Sequence, residues 1–165
     1  MTSSRPVQLP VKLPKGRKTE VRAQFGALCW RVKKGEVEIC LVTTRRTRRW
    51  TVPKGWPMHK QTPAAAAAME AWEEAGLKGR TYERCLGVYS YRKALRADLK
   101  PVVCMVYPVE VTEEAKDWPE ARQRKRKWFS REKAAKKVDW PELRRIILTF
   151  DPGALDGLPA IAPDS

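Results

Sequence analysis

The sequence predicts a single α/β domain with short tails, on three observations. β-branched and aromatic runs of strand length return several times along the chain, an alanine-rich helix former interrupts them, and two further helix-forming segments close the pattern. At 165 residues the chain has room for one ordinary hydrophobic core and too little for two. The expected organisation is a basic N-terminal arm over 1–20, the folded domain over 21–150 and a Pro/Gly-rich tail over 151–165.

Residues 1–20 carry spread prolines and basic residues without apolar periodicity, which predicts an extended arm. "VRAQFGALCWRV" and "EVEICLVTT" flank Lys33, Lys34 and Gly35 and read as a hairpin. "RWTVPKGW" reads as a third short strand, ended by Pro53 and Gly55. Over 63–75 the chain switches to strong helix formers, with Thr62 as N-cap, Pro63 at the first helical position and Gly76 as the stop. "RCLGVYSY" and "PVVCMVYPVEV" are strand-like and separated by a basic loop, "RKALRADLK"; "KRKWFS" adds one more short strand. Two helices follow: "REKAAKKV" behind an N-cap at Ser130, and "PELRRIILTF" with Leu143, Ile146, Ile147 and Phe150 on one face. The tail after Phe150 reads as unstructured.

Composition narrows the function classes. Lys and Arg number 34 against 19 acidic residues, a net charge of +15, so the field draws anions such as phosphates, nucleic acid or acidic lipids. Cys29, Cys40, Cys85 and Cys104 stand singly in the sequence with no CxxC pair, which suits reduced thiols in a cytoplasmic protein better than zinc or a disulfide framework. Nothing in the N-terminal segment has the apolar run of a signal peptide or membrane helix.

Against that basic background the helix over 63–75 gathers Glu70, Glu73 and Glu74. Positions i, i+3 and i+4 share one helical face, where like charges repel by a few tenths of a kcal/mol per pair, roughly, in an isolated helix. Three glutamates alone are usually a solvated face. A hard divalent cation among the oxygens removes the repulsion, and Mg²⁺ takes one or two carboxylates together with waters and substrate phosphates.

The flanks decide between these readings. "KGWPMHKQTPAAAAAMEAWEEAGL", residues 54–77, resembles the Nudix box G-x5-E-x7-R-E-U-x-E-E-x-G-U (U a bulky apolar residue) in its first glycine, its three helix glutamates, its closing glycine and its last apolar position. Together with "RWTVPKGWPM", "EEAGLKG" and "RKRKWFSREKAAKKV", the match is similar to the Nudix branch that hydrolyses diphosphoinositol polyphosphates and diadenosine polyphosphates, and it covers roughly residues 21–148. The resemblance implies an α/β/α sandwich with a mixed β-sheet between helices. It also implies Mg²⁺-dependent (or Mn²⁺-dependent) hydrolysis of a phosphoanhydride, in a diadenosine polyphosphate, a diphosphoinositol polyphosphate or a nucleoside triphosphate. By position it makes Glu70 and Glu74 metal ligands, the Gly55 carbonyl a third, and Glu73 the water-activating base or a water-mediated ligand.

Three positions depart from the box: Gln61 stands for its first glutamate, Met69 for its arginine and Ala71 for an apolar residue. The box arginine orients a catalytic glutamate by ion pairing, and methionine has neither charge nor donor. Three expectations stay open: another cation takes the arginine's place in space, turnover is reduced, or the domain senses pyrophosphate ligands without cleaving them well.

The basic clusters supply the substrate-binding candidates. "TTRRTRRW" offers Arg45, Arg46 and Arg48, joined by Lys54 just before the box glycine, and planar guanidinium forks suit phosphate. "YRKALRADLK" adds Arg92 and Lys93. The run "RQRKRK" at 122–127 reads first as a solvated surface, second as a cap on a long anionic substrate or an RNA contact. Trp56, next to Gly55, either stacks on a base or packs the loop, and His59 lacks any partner at metal-ligand spacing. Specific nucleic-acid binding ranks last, because no aromatic-interleaved RNA motif or recognition helix is present.

Overall fold

The computed structural model describes residues 21–95 and 98–161; the expected arm over 1–20 lies outside the described residues. β1 (Arg22–Lys33) and β2 (Glu36–Thr43) form the expected hairpin, with Lys34 and Gly35 at φ 51° and 76°, the left-handed pair that joins right-twisted strands through a two-residue turn. The next segment is two short strands rather than one. Pro53 has no N–H to give a ladder, so β3 (Trp50–Thr51) pairs with β2, the chain turns, and β4 (Lys54–Gly55) pairs with β1.

Helix α1 (Pro63–Ala75) keeps the predicted bounds: Thr62 Oγ1 accepts from Ala65 N at 3.2 Å, and Gly76 at φ 67° turns the chain out of the helix. It is followed by β5 (Leu77–Thr81), which the sequence reading did not anticipate, then β6 (Gly87–Leu95), β7 (Asp98–Glu114) and β8 (Arg126–Ser130). Of the segment expected as a basic loop, 92–100, the described residues 92–95 and 98–100 instead continue the β6–β7 ladder, with Arg92 opposite Pro101 and Lys93 opposite Lys100. α2 (Arg131–Lys137) starts at the Ser130 cap, and α3 (Pro141–Thr149) buries Leu143, Ile146 and Ile147.

The sheet runs β3-β2-β1-β7-β5, with β4 added to β1, β6 to β7 and β8 to β2; β1 and β7 are parallel and the other pairs antiparallel, so the sheet is mixed. Alternation along β1 divides the core in two. Ala27 and Cys29 pack with Ala64, Ala67 and Ala71 of α1, whereas Leu28 and Trp30 belong to the cluster of Leu143, Ile147 and Phe150. The result is an α/β/α sandwich, and cover on both faces explains why β1 is buried without a break from Phe25 to Trp30.

The alanines of α1 have a positional role. Ala64, Ala66, Ala67, Ala71 and Ala75 are fully buried, and side chains that small let the helix lie close on the sheet, which brings Glu70 to the backbone of β4. The tail is not wholly unstructured. Pro152–Leu155 forms a 3-10 turn that seats Leu155 in the α2/α3-side core, and Ile161 bridges to Thr81. Its apolar residues recover enough buried surface to order a stretch that its prolines and glycines disguise. All four cysteines are free, and among the described residues no helix is long and apolar enough to cross a membrane.

Candidate active site

Two chain segments meet at the glutamates. β4 pairs Gly55 with Phe25 of β1, holding the Gly55 backbone beneath α1. A Cβ at Gly55 would sit 2.2 Å from both Cδ and Oε1 of Glu70, so the glycine is required by the carboxylate lying on it. One turn on, Glu74 Oε1 accepts from the Lys54 backbone N–H at 3.3 Å. Glu70 and Glu74 are buried, while Glu73 is half-buried at the rim.

A second loop closes over the end of α1. Trp118 Nε1 donates to the Glu74 carbonyl at 3.1 Å and Glu120 N to the Glu73 carbonyl at 3.0 Å, satisfying acceptors that the helix end leaves open. From the same loop Arg124 reaches inward: Nη2 lies 3.4 Å from Glu74 Oε2 and 3.1 Å from Glu120 Oε1, and Nη1 donates to the Thr43 carbonyl at 3.2 Å.

Burial and mutual repulsion set the electrostatics. The Glu70 carboxyl is pushed up to about 8, by burial first and then by Glu74, Glu73 and Glu120. Glu74 is pushed up to about 7 by burial, with Arg124 and Lys54 pulling it back. Burial lowers the Lys54 ammonium, and Glu74 opposes the shift. Were all its carboxyls ionised, the pocket would hold more negative charge than its own cations neutralise, so part of it stays protonated near neutral pH.

That surplus bears on a metal. Among the described residues no three His, Cys, Asp or Glu side chains form a closed cage for an ion. Mg²⁺ does not need one, because it takes one or two carboxylates and fills its shell with water and phosphate oxygens. Glu70, Glu74 and the Gly55 backbone fit that donor set.

The basic candidates separate into inner and outer groups. Lys54 faces inward, its Nζ 5.2 Å from the Tyr91 ring centroid and in the field of Glu74. Arg45 lies at the loop edge, with Nη1 3.3 Å from Gln123 Oε1 and 3.9 Å from Glu120 Oε1. Arg48 donates to the Gln123 carbonyl at 3.2 Å, and Arg46 is exposed on the same turn. Arg92 and Lys93 are exposed on β6, the Lys93 ammonium 5.4 Å from the ring of Trp56, whose indole is 36% exposed beside Gly55.

Sequence reasoning missed Arg124, Glu120 and Trp118. The run 122–127 is not simply a solvated surface: Arg124 is 10% and Arg126 14% exposed, and Arg126 donates to the Ala75 and Ala115 carbonyls at 2.7 and 2.8 Å. A two-residue alternation entering β8 turns these two inward and leaves Lys125 and Lys127 outside, a signal present in the run had it been read as strand. Met69 and Gln61 line a groove of about 260 Å³ with Ala65 and Trp72, on the face of α1 that looks away from Glu70 and Glu74.

Comparison with known proteins finds relatives of the chain and of its fold. A family model described as "NUDIX domain" matches residues 21–150. The chain is 30% identical over 121 residues to Nudix hydrolase 12, mitochondrial, of Arabidopsis thaliana (70% of this chain, 59% of that protein). It is 34% identical over 117 residues to diphosphoinositol polyphosphate phosphohydrolase 3-beta of Homo sapiens (70% and 68%). The fold superposes on the binary complex of the C. elegans Ap4A hydrolase with a TM-score of 0.59 at 22% identity, covering 78% of this chain and 93% of that one. The matched stretch thus spans about three-fifths to two-thirds of the curated relatives' length.

Proposed function

The chain belongs to the Nudix family, and from that premise we propose that it is a divalent-metal-dependent pyrophosphohydrolase. Its substrate on this reading is a small molecule carrying a chain of phosphates: a diadenosine polyphosphate, a diphosphoinositol polyphosphate or a nucleoside triphosphate. The observation that carries the proposal is the buried Glu70 and Glu74 pair on the Gly55 and Lys54 backbone, two carboxyls whose joint ionisation the protein itself resists.

Glu70, Glu74 and the Gly55 carbonyl would hold Mg²⁺ (or Mn²⁺), which when bound lowers the pKa of water and neutralises phosphate charge. Glu73, half-buried and one helical turn from Glu70, accepts the proton of the attacking water on this reading. Lys54, half-buried beside Glu74, would meet phosphate oxygens as a partly desolvated cation. Arg45, Arg46, Arg48, Arg92 and Lys93 draw in the outer phosphates through exposed positive charge. The same charge gives nonspecific attraction to nucleic acid, and four free cysteines suit a reducing cytoplasm.

The test is direct. Purified protein with diadenosine polyphosphates or diphosphoinositol polyphosphates and Mg²⁺ releases mononucleotides or phosphate, and Glu73→Gln loses most of that rate; equal rates in the two proteins sink the assignment. A second reading, a weakened domain that senses pyrophosphate ligands, is favoured by Met69 and Gln61, which leave the box without its arginine and first glutamate. Tight binding by calorimetry with no cleavage across the substrate panel selects it.

A further inference from the structure

Met69 leaves α1 without a cation of its own to steady its glutamates, and it faces the groove behind the helix with 37% of its surface exposed. The largest charge support for Glu74 comes instead from a different part of the chain, with Lys54 as the second cation. Arg124 is only 10% exposed, and its guanidinium is fixed on three sides: by Glu74 Oε2 at 3.4 Å, by Glu120 Oε1 at 3.1 Å from Nη2 and 3.2 Å from Nε, and by the Thr43 carbonyl at 3.2 Å. The Thr43 end is itself locked to the same loop, since Thr43 N donates to the Lys125 carbonyl at 3.0 Å and Lys125 N to Thr43 Oγ1 at 2.9 Å. A planar fork held this way has little rotamer freedom left, so the carboxylate oxygen it touches is held as well.

We propose that Arg124 is the positioning residue of the carboxylate site, fixing Glu74 from the loop ahead of β8 where the box arginine is absent from α1. The proposal rests on the hydrolase reading of Glu70, Glu73 and Glu74. It also ties the substrate-facing arginine turn to the metal-facing helix. Arg45 and Arg48 both bond Gln123, the residue beside Arg124, so the two halves of the site share one brace.

Charge and position make opposite predictions, which is what renders the idea testable. Removing a cation beside Glu74 would, by Coulomb attraction alone, tighten the binding of a divalent cation. Removing a brace weakens it, because an unheld carboxylate must be ordered on binding; lost outer partners typically cost about 10- to 100-fold in metal affinity or activity. Mn²⁺ titration of the substrate-free full chain, followed by electron paramagnetic resonance, reads this without any catalysis.

Arg124→Gln is expected to bind Mn²⁺ about tenfold more weakly and to lose kcat with little change in KM. Arg124→Lys, which keeps charge and loses the fork, falls between it and the wild type. Glu120→Gln, which removes the other carboxylate on Arg124 and leaves the Glu74 contact, changes Mn²⁺ binding by no more than a few-fold. Mn²⁺ binding in Arg124→Gln as tight as wild type or tighter overturns the proposal, as does an equal loss in Glu120→Gln, which would make Arg124 a loop tie. A wild-type chain that binds Mn²⁺ and cleaves nothing defeats the hydrolase reading alone, whereas one that binds no Mn²⁺ defeats both.

Discussion

Gly55 shows how little room a single position has. Because its missing Cβ would fall 2.2 Å from the Glu70 carboxyl, Gly55→Ala must push that carboxylate aside while leaving the φ of the strand undisturbed. Misplacement by about 1 Å costs on the order of 100-fold in rate, so Gly55→Ala should lose kcat/KM by about that factor and keep most of its stability in urea unfolding. The thiols make a second case. Burial pushes Cys40 and Cys104 up to about 12 and Cys29 higher than usual, while Cys85 is half-exposed. Ellman's reagent at pH 8 should therefore modify one thiol quickly in the folded protein and the other three only on unfolding. The three glutamates were legible because helical spacing is local. Arg124 was not, since its meaning depends on a partner fifty residues earlier in the chain.

At the scale of elements, local signals survived and partner-dependent ones did not. α1 keeps its predicted bounds because its start and stop reside in Thr62, Pro63 and Gly76, whereas β5 is a strand only by virtue of pairing with β7 and β4 only by pairing with β1. The mixed, doubly covered sheet was legible only through the resemblance. The ordered tail was hidden by its prolines and glycines. The two ends of α1 should respond unequally to mutation. Thr62→Ala removes one cap bond, about 1 kcal/mol. Gly76→Ala adds a side chain at φ 67°, about 1–2 kcal/mol of strain, and drives its Cβ to 2.7 Å from Trp118 Cδ2, the ring that bonds Glu74 and stacks under Arg126. Denaturant unfolding should rank Gly76→Ala well below Thr62→Ala, with activity falling further in the former because the Trp118 loop carries Arg124's neighbours.

Across the whole molecule, a net charge of +15 coexists with an acidic pocket, and pH separates their effects. Glu70 and Glu74 have carboxyls raised from 4.5 to about 8 and about 7, so between those values the folded chain binds more protons than the unfolded one. Stability from these two groups is complete below about 4.5 and is lost as pH rises through 7 and 8, when ionisation forces like charges together in a buried space. The rest of the molecule pulls the other way, since a basic protein sheds self-repulsion as pH rises. A fall in melting temperature of the metal-free protein between pH 6 and pH 7.5, below the range where the three buried thiols would ionise in the unfolded chain, must therefore come from the pocket. Glu70→Gln should flatten that fall, and Mg²⁺ added at pH 8.5 should raise the wild-type melting temperature more than it does at pH 6, where protons compete for the same oxygens. If Mg²⁺ stabilises equally at both pH values, the raised carboxyls and the metal ligands are not the same groups, and the pairing of Glu70 and Glu74 as ligands fails.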